Sequence, residues 1–469
     1  MSSAFDTWGS RIALGATLLG GGLGIGMSCE QDESGDNTTI SAESRTDDPP
    51  ESVADPAASQ DVVAVQMPEL DKERSKGIFA IPASGNPYEI SRYGRQVLAP
   101  ATEFFTTPTS LFLQSRGRYR MGYEHRVRER DNVMYGKPGE RAAFSRKTYI
   151  GRFMRWLYLP KSMRNRPLTP EDHEWLRANG AYSQSISNRI LILPYAVRLG
   201  VNIYGFTRTQ DDGRNGLGHV ETAVMITDTA SITSHIVDLS LWSRGLGQVA
   251  GASNPSLVER ALQPGRIAPM RRWMTLGGYE GAAKSLTLSH RISLGSNVLM
   301  MVTGAVRLYS EYVRMERTGA ENLSTLLVGG FEFFGGLSSC VLILFLLQRA
   351  RQLKESAEEE AVDYRKVCDR LVGFTPFPGL IQACVRAPGM VMASAMISMN
   401  GVALASALDH MAAGVPASHA VLVPVLGLAS SGLALVSSYM NTPGKLAVSQ
   451  FVFLGSFVLC GLQSLLELG

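Results

Sequence analysis

Hydrophobic positions gather in two kinds of stretch along this chain. Toward the C-terminus they form long runs of nearly pure apolar residues, 292 to 306, 323 to 347, 387 to 408, 418 to 440 and 446 to 466. A bilayer core of about 30 Å needs about 20 apolar residues in a helix, so these runs read as transmembrane segments. The first has only 15 apolar or small residues between Arg291 and Arg307 and spans only with snorkelling flanks, if it spans. Upstream, apolar residues alternate with cations at helical spacing. In SRKTYIGRFMRWLYLP (145 to 160), Ile150, Phe153, Met154 and Leu157 share one face, Arg152 and Arg155 lie opposite, and Pro160 ends the run. Tyr149, Trp156 and Tyr158 suit the headgroup level. The expected fold is therefore all-α: a membrane protein with amphipathic interfacial helices followed by a C-terminal bundle of about 3 to 5 transmembrane helices.

Two further upstream stretches are helical candidates. Residues 187 to 206, SNRILILPYAVRLGVNIYGF, are apolar but interrupted by Pro194 and carry Arg189 and Arg198. In 220 to 242, Glu221, Asp228 and His235 recur every seven positions. Seven residues rise about 10 Å, too far for one metal ion, so these three read as a polar stripe. Such a helix lies in an interface or packs under membrane helices.

Composition sharpens the division. The 469 residues carry 45 Lys+Arg against 42 Asp+Glu, a net charge of +3, and only 19% are charged, below the roughly one quarter usual in soluble domains. From 371 to 469 only Arg386, Asp409, Lys445 and Glu467 are charged. The chain divides into a Gly-rich apolar segment (1 to 28), an acidic region expected to be disordered (29 to 85), a basic amphipathic helical region (86 to 247), a Pro/Gly linker (248 to 286) and a membrane-spanning region (287 to 469). The 16 apolar residues of 12 to 27 read either as a signal segment or as an interfacial one. Export of the downstream chain would carry outside the 17 Lys+Arg found between 86 and 166, which argues against a signal. Those cations, set against six carboxylates, fit nucleic acid or an anionic membrane surface. Their position beside the amphipathic stretch favours lipid headgroups and no nucleic-acid partner.

Topology can be read from Lys and Arg. The loop 348 to 386 carries seven (Arg349, Arg351, Lys354, Arg365, Lys366, Arg370, Arg386) and 409 to 417 none, which puts the first on the cytoplasmic side and the second across the membrane. If all five segments cross, the C-terminus lies on the far side.

Chemistry is sparse. GxxxxGK[ST], HExxH and GxSxG are absent, and the five cysteines contain no CxxC, so enzyme, cofactor, metal and disulfide readings lack their minimum residues and a reducing compartment is the easier home. Glu332 stands alone within the most apolar run, where a carboxylate usually marks an ion or proton path. Gly427 and Ser431, four apart, permit close helix packing and self-association into a homo-oligomer.

The order of features resembles one family. A basic amphipathic helix, then Arg198-Leu199-Gly200, then a helix ending in Asp238-Leu-Ser-Leu241-Trp242 with Gly245 and Gly247 after it, is similar to the peroxin-11 family of peroxisomal membrane proliferation factors. The stretch from Asn297 to Tyr312 and Asp409 with Gly427-Leu428-Ala-Ser430-Ser431 look like that family's last membrane segments, so the likeness covers about 145 to 440. It implies a non-enzymatic, multi-pass protein of the peroxisomal membrane that wedges amphipathic helices into the cytosolic leaflet, elongates the organelle and helps recruit its fission machinery. Ile150, Phe153, Met154 and Leu157 would be the wedge; Arg146, Lys147, Arg152 and Arg155 would bind phosphates, with Trp156 at their level; Arg198 and Trp242 would anchor the next two helices. The acidic N-terminal 85 residues, the linker, the run 323 to 347 and the apolar segment after Lys445 exceed the family pattern. The alternative expectation is a polytopic channel or transporter that uses Glu332.

Overall fold

The computed structural model describes residues 98–129, 148–166, 168–211, 219–318, 323–357, 361–374, 377–412, 418–441 and 445–468. The segments 1 to 28 and 29 to 85, and with them the signal-segment question, lie outside the described residues, as do Arg146 and Lys147. Among the described residues there is helix and no strand: α1 (Ala99–Glu129), α2 (Tyr149–Tyr158), α3 (Pro170–Asp211), α4 (His219–Ser253), α5 (Pro255–Leu262), α6 (Ala268–Thr275), α7 (Gly278–Thr318), α8 (Leu323–Glu355), α9 (Tyr364–Val372), α10 (Gly379–Ala412), α11 (Ser418–Met440) and α12 (Leu446–Leu468). Five of these, α7, α8, α10, α11 and α12, are long and apolar enough to cross a membrane. The chain is an all-α, multi-pass membrane protein.

The local starts and stops obey ordinary capping chemistry. Thr148 accepts the Gly151 N–H to open α2. At the head of α3, Thr169 and Asp172 exchange side-chain and backbone hydrogen bonds in a capping box. Arg166 donates to both carboxylate oxygens, and this pairing holds the Asp172 carboxyl down at about 2. Asp363 caps α9, and Gly373, at φ 80°, ends it in the left-handed conformation that glycine adopts without strain.

Residues 248 to 286, expected as a linker, are mostly helical. α4 continues to Ser253, and α5 and α6 each begin with a proline in the first turn, where its missing N–H costs no hydrogen bond. Gly277 and Gly278, both at positive φ, turn the chain into α7. The prolines and glycines here punctuate a helical cap rather than interrupt structure. Pro194 likewise does not break α3, which runs through it for 42 residues. Neighbouring helices and apolar surroundings tolerate a proline there. The 15-residue run expected to span weakly lies inside α7, a 41-residue helix whose polar ends hide its length.

The long helices pack antiparallel, and one device recurs at their seams. Ser110 of α1 and Ser187 of α3 donate to each other's carbonyls, as do Ser185 and Ser243 between α3 and α4, Ser430 and Ser456, and Ser437 and Ser449 between α11 and α12. Each pair satisfies two hydroxyls and lets two backbones approach, the small-residue packing that holds helices together where hydrophobicity cannot. Between α7 and α8, Gly304, Gly329 and Gly336 do the same without side chains.

These contacts also fix direction. The C-terminal half of α1, the N-terminal half of α3, the end of α4, the start of α7, the end of α8, and α5, α6 and α9 gather at one polar, basic end. The other halves of α1, α3 and α4 lie alongside the apolar helices: Thr227 of α4 meets Thr303 of α7, Phe453 and Phe457 of α12 pack on Leu111 of α1, and Gly461 of α12 abuts Phe104 of α1.

A Cβ at Gly304 would come within 2.6 Å of the Gly329 carbonyl oxygen and the Phe333 nitrogen, whereas one at Gly295 meets nothing within 4 Å. Gly304→Ala is expected to destabilise the detergent-solubilised protein by about 1–3 kcal/mol, and Gly295→Ala to leave it unchanged or raise it by up to about 1 kcal/mol, as read from thermal unfolding.

Candidate functional site

The apolar half of the bundle encloses charge. Glu332 of α8 is 1% exposed and forms an ion pair with Arg307 of α7, Nε to Oε2 3.1 Å. Asp228 of α4 is met by Arg198 of α3 at 3.6 Å and accepts the Asn202 amide at 3.0 Å. Arg198 and Asp228 lie within electrostatic reach of Glu332, and Arg198 also of Glu103 on α1. Five helices thus contribute two guanidinium groups and three carboxylates to one buried cluster.

Its depth is set by helix geometry. At about 1.5 Å per residue, Asp228 and Glu332 lie about 13 Å in from the helix ends at His219 and Leu323, and Arg307 about 16 Å in from Thr318, close to the middle of a core about 30 Å thick. Around the cluster the outward positions are apolar: Ile226, Leu193, Ile203, Phe105 and Phe334 are exposed. On α4, Asp228, Ser231, His235 and Asp238 are buried while Ile226 and Val237 face out. Polar inside and apolar outside is the arrangement lipid demands of helices that carry charge. The seven-residue recurrence of Asp228 and His235 is the inward face of α4, and Trp242 continues it.

A second ionic cluster occupies the polar end. Arg177 of α3, among the most buried side chains of the protein, donates to Asp369 of α9 at 2.6 Å and to Glu124 of α1 at 3.1 Å. Arg365 of α9 reaches Glu124 at 3.0 Å and Glu174 of α3 at 2.8 Å. Burial opposes the charge of Arg177, yet Asp369 and Glu124 outweigh it and hold its pKa above the usual arginine value. Beside it on α1, burial and then Arg116 lower Arg120 to about 9, while its Nε donates to the Tyr158 carbonyl. This end is a clamp: it fastens α9, in the connection between α8 and α10, to α1 and α3.

The residues expected to bind membrane divide. α2 docks through Gly151, Met154, Arg155 and Tyr158, so Met154 is 1% exposed and packs with Tyr119, Tyr123 and Tyr158 instead of facing lipid. Arg155 is turned inward rather than toward phosphates; it donates to the carbonyls of Met163 and Arg164 and to the Tyr123 hydroxyl. The docked face is rotated from the expected one because α1 and α12 offer an apolar groove that takes Met154 and Tyr158. Leu157 is half-buried in the same cluster. Ile150, Phe153 and Trp156 are exposed, with Tyr149 at 85%, and Phe153 lies 5.7 Å ring to ring from Phe451 of α12. Arg152 is exposed and its guanidinium covers Tyr149.

Other expectations shift as well. Arg198 is an inner ion-pair partner, and Trp242, 8% exposed, packs edge-on against His290 inside the bundle. Gly427 and Ser431 are not on an outer face: a Cβ at Gly427 would strike Asn400, and Ser431 is 1% exposed with its hydroxyl on the Gly427 carbonyl. Their close packing joins α10, α11 and α12 within one chain. Glu332, read from sequence as a lone carboxylate in an apolar run, has Arg307 as its partner. No group of three His, Cys, Asp or Glu among the described residues is placed to hold a metal ion.

Compared with protein-family models, curated proteins and solved structures, the chain matches none.

Arg177→Met leaves Asp369 buried without its cation; removing one partner of such a pair costs about 3–5 kcal/mol. Loss of stability of that size is expected in denaturant titration of the detergent-solubilised protein, together with faster proteolysis of the connection between α8 and α10.

Proposed function

We propose that the protein moves a small charged species across its membrane through the core formed by Glu103, Arg198, Asp228, Arg307 and Glu332. The observation that carries this reading is the Arg307–Glu332 pair, buried about three turns in from the nearer ends of two helices apolar enough to span the bilayer, with Asp228 and Arg198 beside it. A charge at bilayer mid-depth costs about 2.5–3.5 kcal/mol even on insertion-based scales, and a bundle whose only need is to hold together has serine and glycine seams that do so with no such cost. Paired charges have a use that seams do not. Opposite charges on separate helices exchange partners when the helices shift, and that exchange can bind and release an ion. No catalysis belongs to this reading.

The test is reconstitution. Liposomes containing the full chain, given gradients of sodium, potassium, protons or chloride in turn and read with a potential-sensitive dye, are expected to discharge at least one gradient faster than empty liposomes. Glu332→Gln should slow that discharge about tenfold or more, because it removes the charge Arg307 balances. Wild-type protein that discharges none would overturn the proposal.

A second reading is favoured by one observation, the exposed edge of α2. Tyr149, Ile150, Phe153 and Trp156 point away from the protein beside the first turns of α12, the level at which an interfacial helix lies. Through it the protein would bind anionic headgroups and bend its membrane, and the peroxin-11 resemblance makes that membrane peroxisomal and a fission machinery its partner. Full-length protein at high density is then expected to tubulate anionic liposomes, and Phe153→Glu to abolish tubulation; liposomes that stay spherical with wild-type protein count against it.

A further inference from the structure

Helices α4 and α7 share a seam whose polar groups do not end at the charged core. Beside the core, Thr303 donates to Thr227 at 2.9 Å. Next along the seam, the Ser296 hydroxyl stands 3.4 Å from the Ser231 carbonyl oxygen and 3.1 and 3.2 Å from the two ring nitrogens of His235. One turn further, Asp238 accepts the Ser289 hydroxyl and is also hydrogen-bonded by Ser293. At the polar end, His290 Nε2 lies 2.9 Å from the Leu371 carbonyl of α9. Asp228, Ser231, His235, Asp238, Ser289, His290, Ser293 and Ser296 are all buried. On α4 they recur every three or four residues, so successive groups stand about 5 Å apart along the axis.

We infer that this seam conducts protons between the basic end and Glu332, which makes the proton the species handled by the charged core; the inference rests on the transport reading above. Hydroxyl, imidazole and carboxyl are the side chains that both give and take a proton, and the seam consists of them. A proton arriving at the basic end adds to the Asp238 carboxylate. It passes to the Ser293 hydroxyl, which stands between Asp238 and the core and releases its own proton as it accepts this one, and from there to one nitrogen of His235. The imidazole releases its other N–H toward Ser296 and Asp228, and Glu332 takes the proton as Arg307 loosens from it. Atoms balance at every step, and one positive charge moves per passage, driven by the potential or the pH difference across the membrane.

A packing role alone does not account for the choice of residues. Serine pairs close the α11–α12 seam without any titratable group. Here the same closeness is reached with His235, 0% exposed, and Asp238, 6% exposed, facing serines of α7. The Tyr195 hydroxyl is buried beside them, its ring centroid 5.9 Å from that of His235, and makes no hydrogen bond to the described residues. A phenol held against the imidazole with its O–H unspent is a further proton donor for the same path.

The experiment uses the full chain in liposomes with a pH-sensitive dye sealed in the lumen and a potassium-diffusion potential imposed by an ionophore. Wild-type protein is expected to shift the lumenal pH faster than empty liposomes. Asp238→Asn and His235→Phe should each slow the shift about tenfold or more, and Ser185→Ala, in the α3–α4 seam, should leave it unchanged. If His235→Phe fails to fold, as judged by gel filtration and helical content, Ser296→Ala tests the same step and should slow the shift as well. Lumenal pH unmoved while a potential-sensitive dye reports current carried by another ion overturns this inference and leaves the transport reading standing. No current with any ion overturns both. Wild-type rates in Asp238→Asn and His235→Phe would overturn the seam as the path.

Discussion

Charge held inside hydrocarbon is the constraint on which this structure depends. Two arginines and three carboxylates sit where water is scarce, and each must find its counterpart within the protein. That need explains why α1, α3 and α4 accompany the apolar helices instead of lying elsewhere. None of the three is apolar enough to stand among the five candidate spans, because each gives its inner face to polar residues. In the bundle those faces satisfy one another and the outer faces stay apolar.

The polar end answers the opposite requirement. There, burial of Arg177 and Arg365 among Glu124, Glu174 and Asp369 ties a connection between two spans to the upstream helices. With the α5–α6 cap beside it, this end fastens the upstream helices together, and the glycine and serine seams continue their close packing below it.

Much of the fold is legible in sequence. The runs 323 to 347, 418 to 440 and 446 to 466 announce α8, α11 and α12 because apolar content alone defines them. The length of α7 is not, since its polar ends read as flanks and Arg307 as a boundary, although in the structure Arg307 lies well inside the helix. The linker expectation fails for a similar reason: Pro255 and Pro269 start helices as readily as they break them, and only the packing of the cap decides. For the site, Glu332 is visible as a lone carboxylate. Its partners Arg307, Arg198 and Asp228 read from sequence as a flank, a headgroup anchor and a polar stripe, because pairing across helices leaves no mark on local spacing. The seven-residue spacing of Asp228, His235 and Trp242 holds the signal; continuous over two heptads, it marks an inward face rather than a ligand set. α2 is visible as a helix, but its docking face is not, because helical spacing shows an amphipathic axis and not the shape of the groove that receives it.

The depth of the ion pairs can be measured directly. Phe334, 59% exposed two residues from Glu332, faces outward at the level of the ion pairs. A nitroxide attached to cysteine at this position, with the native cysteines replaced, reports its surroundings through collisions with oxygen, which dissolves in lipid, and with a nickel complex, which stays in water. Strong relaxation by oxygen and little by nickel is expected in bilayers. The reverse result would place Glu332 and Arg307 outside the membrane and contradict the account.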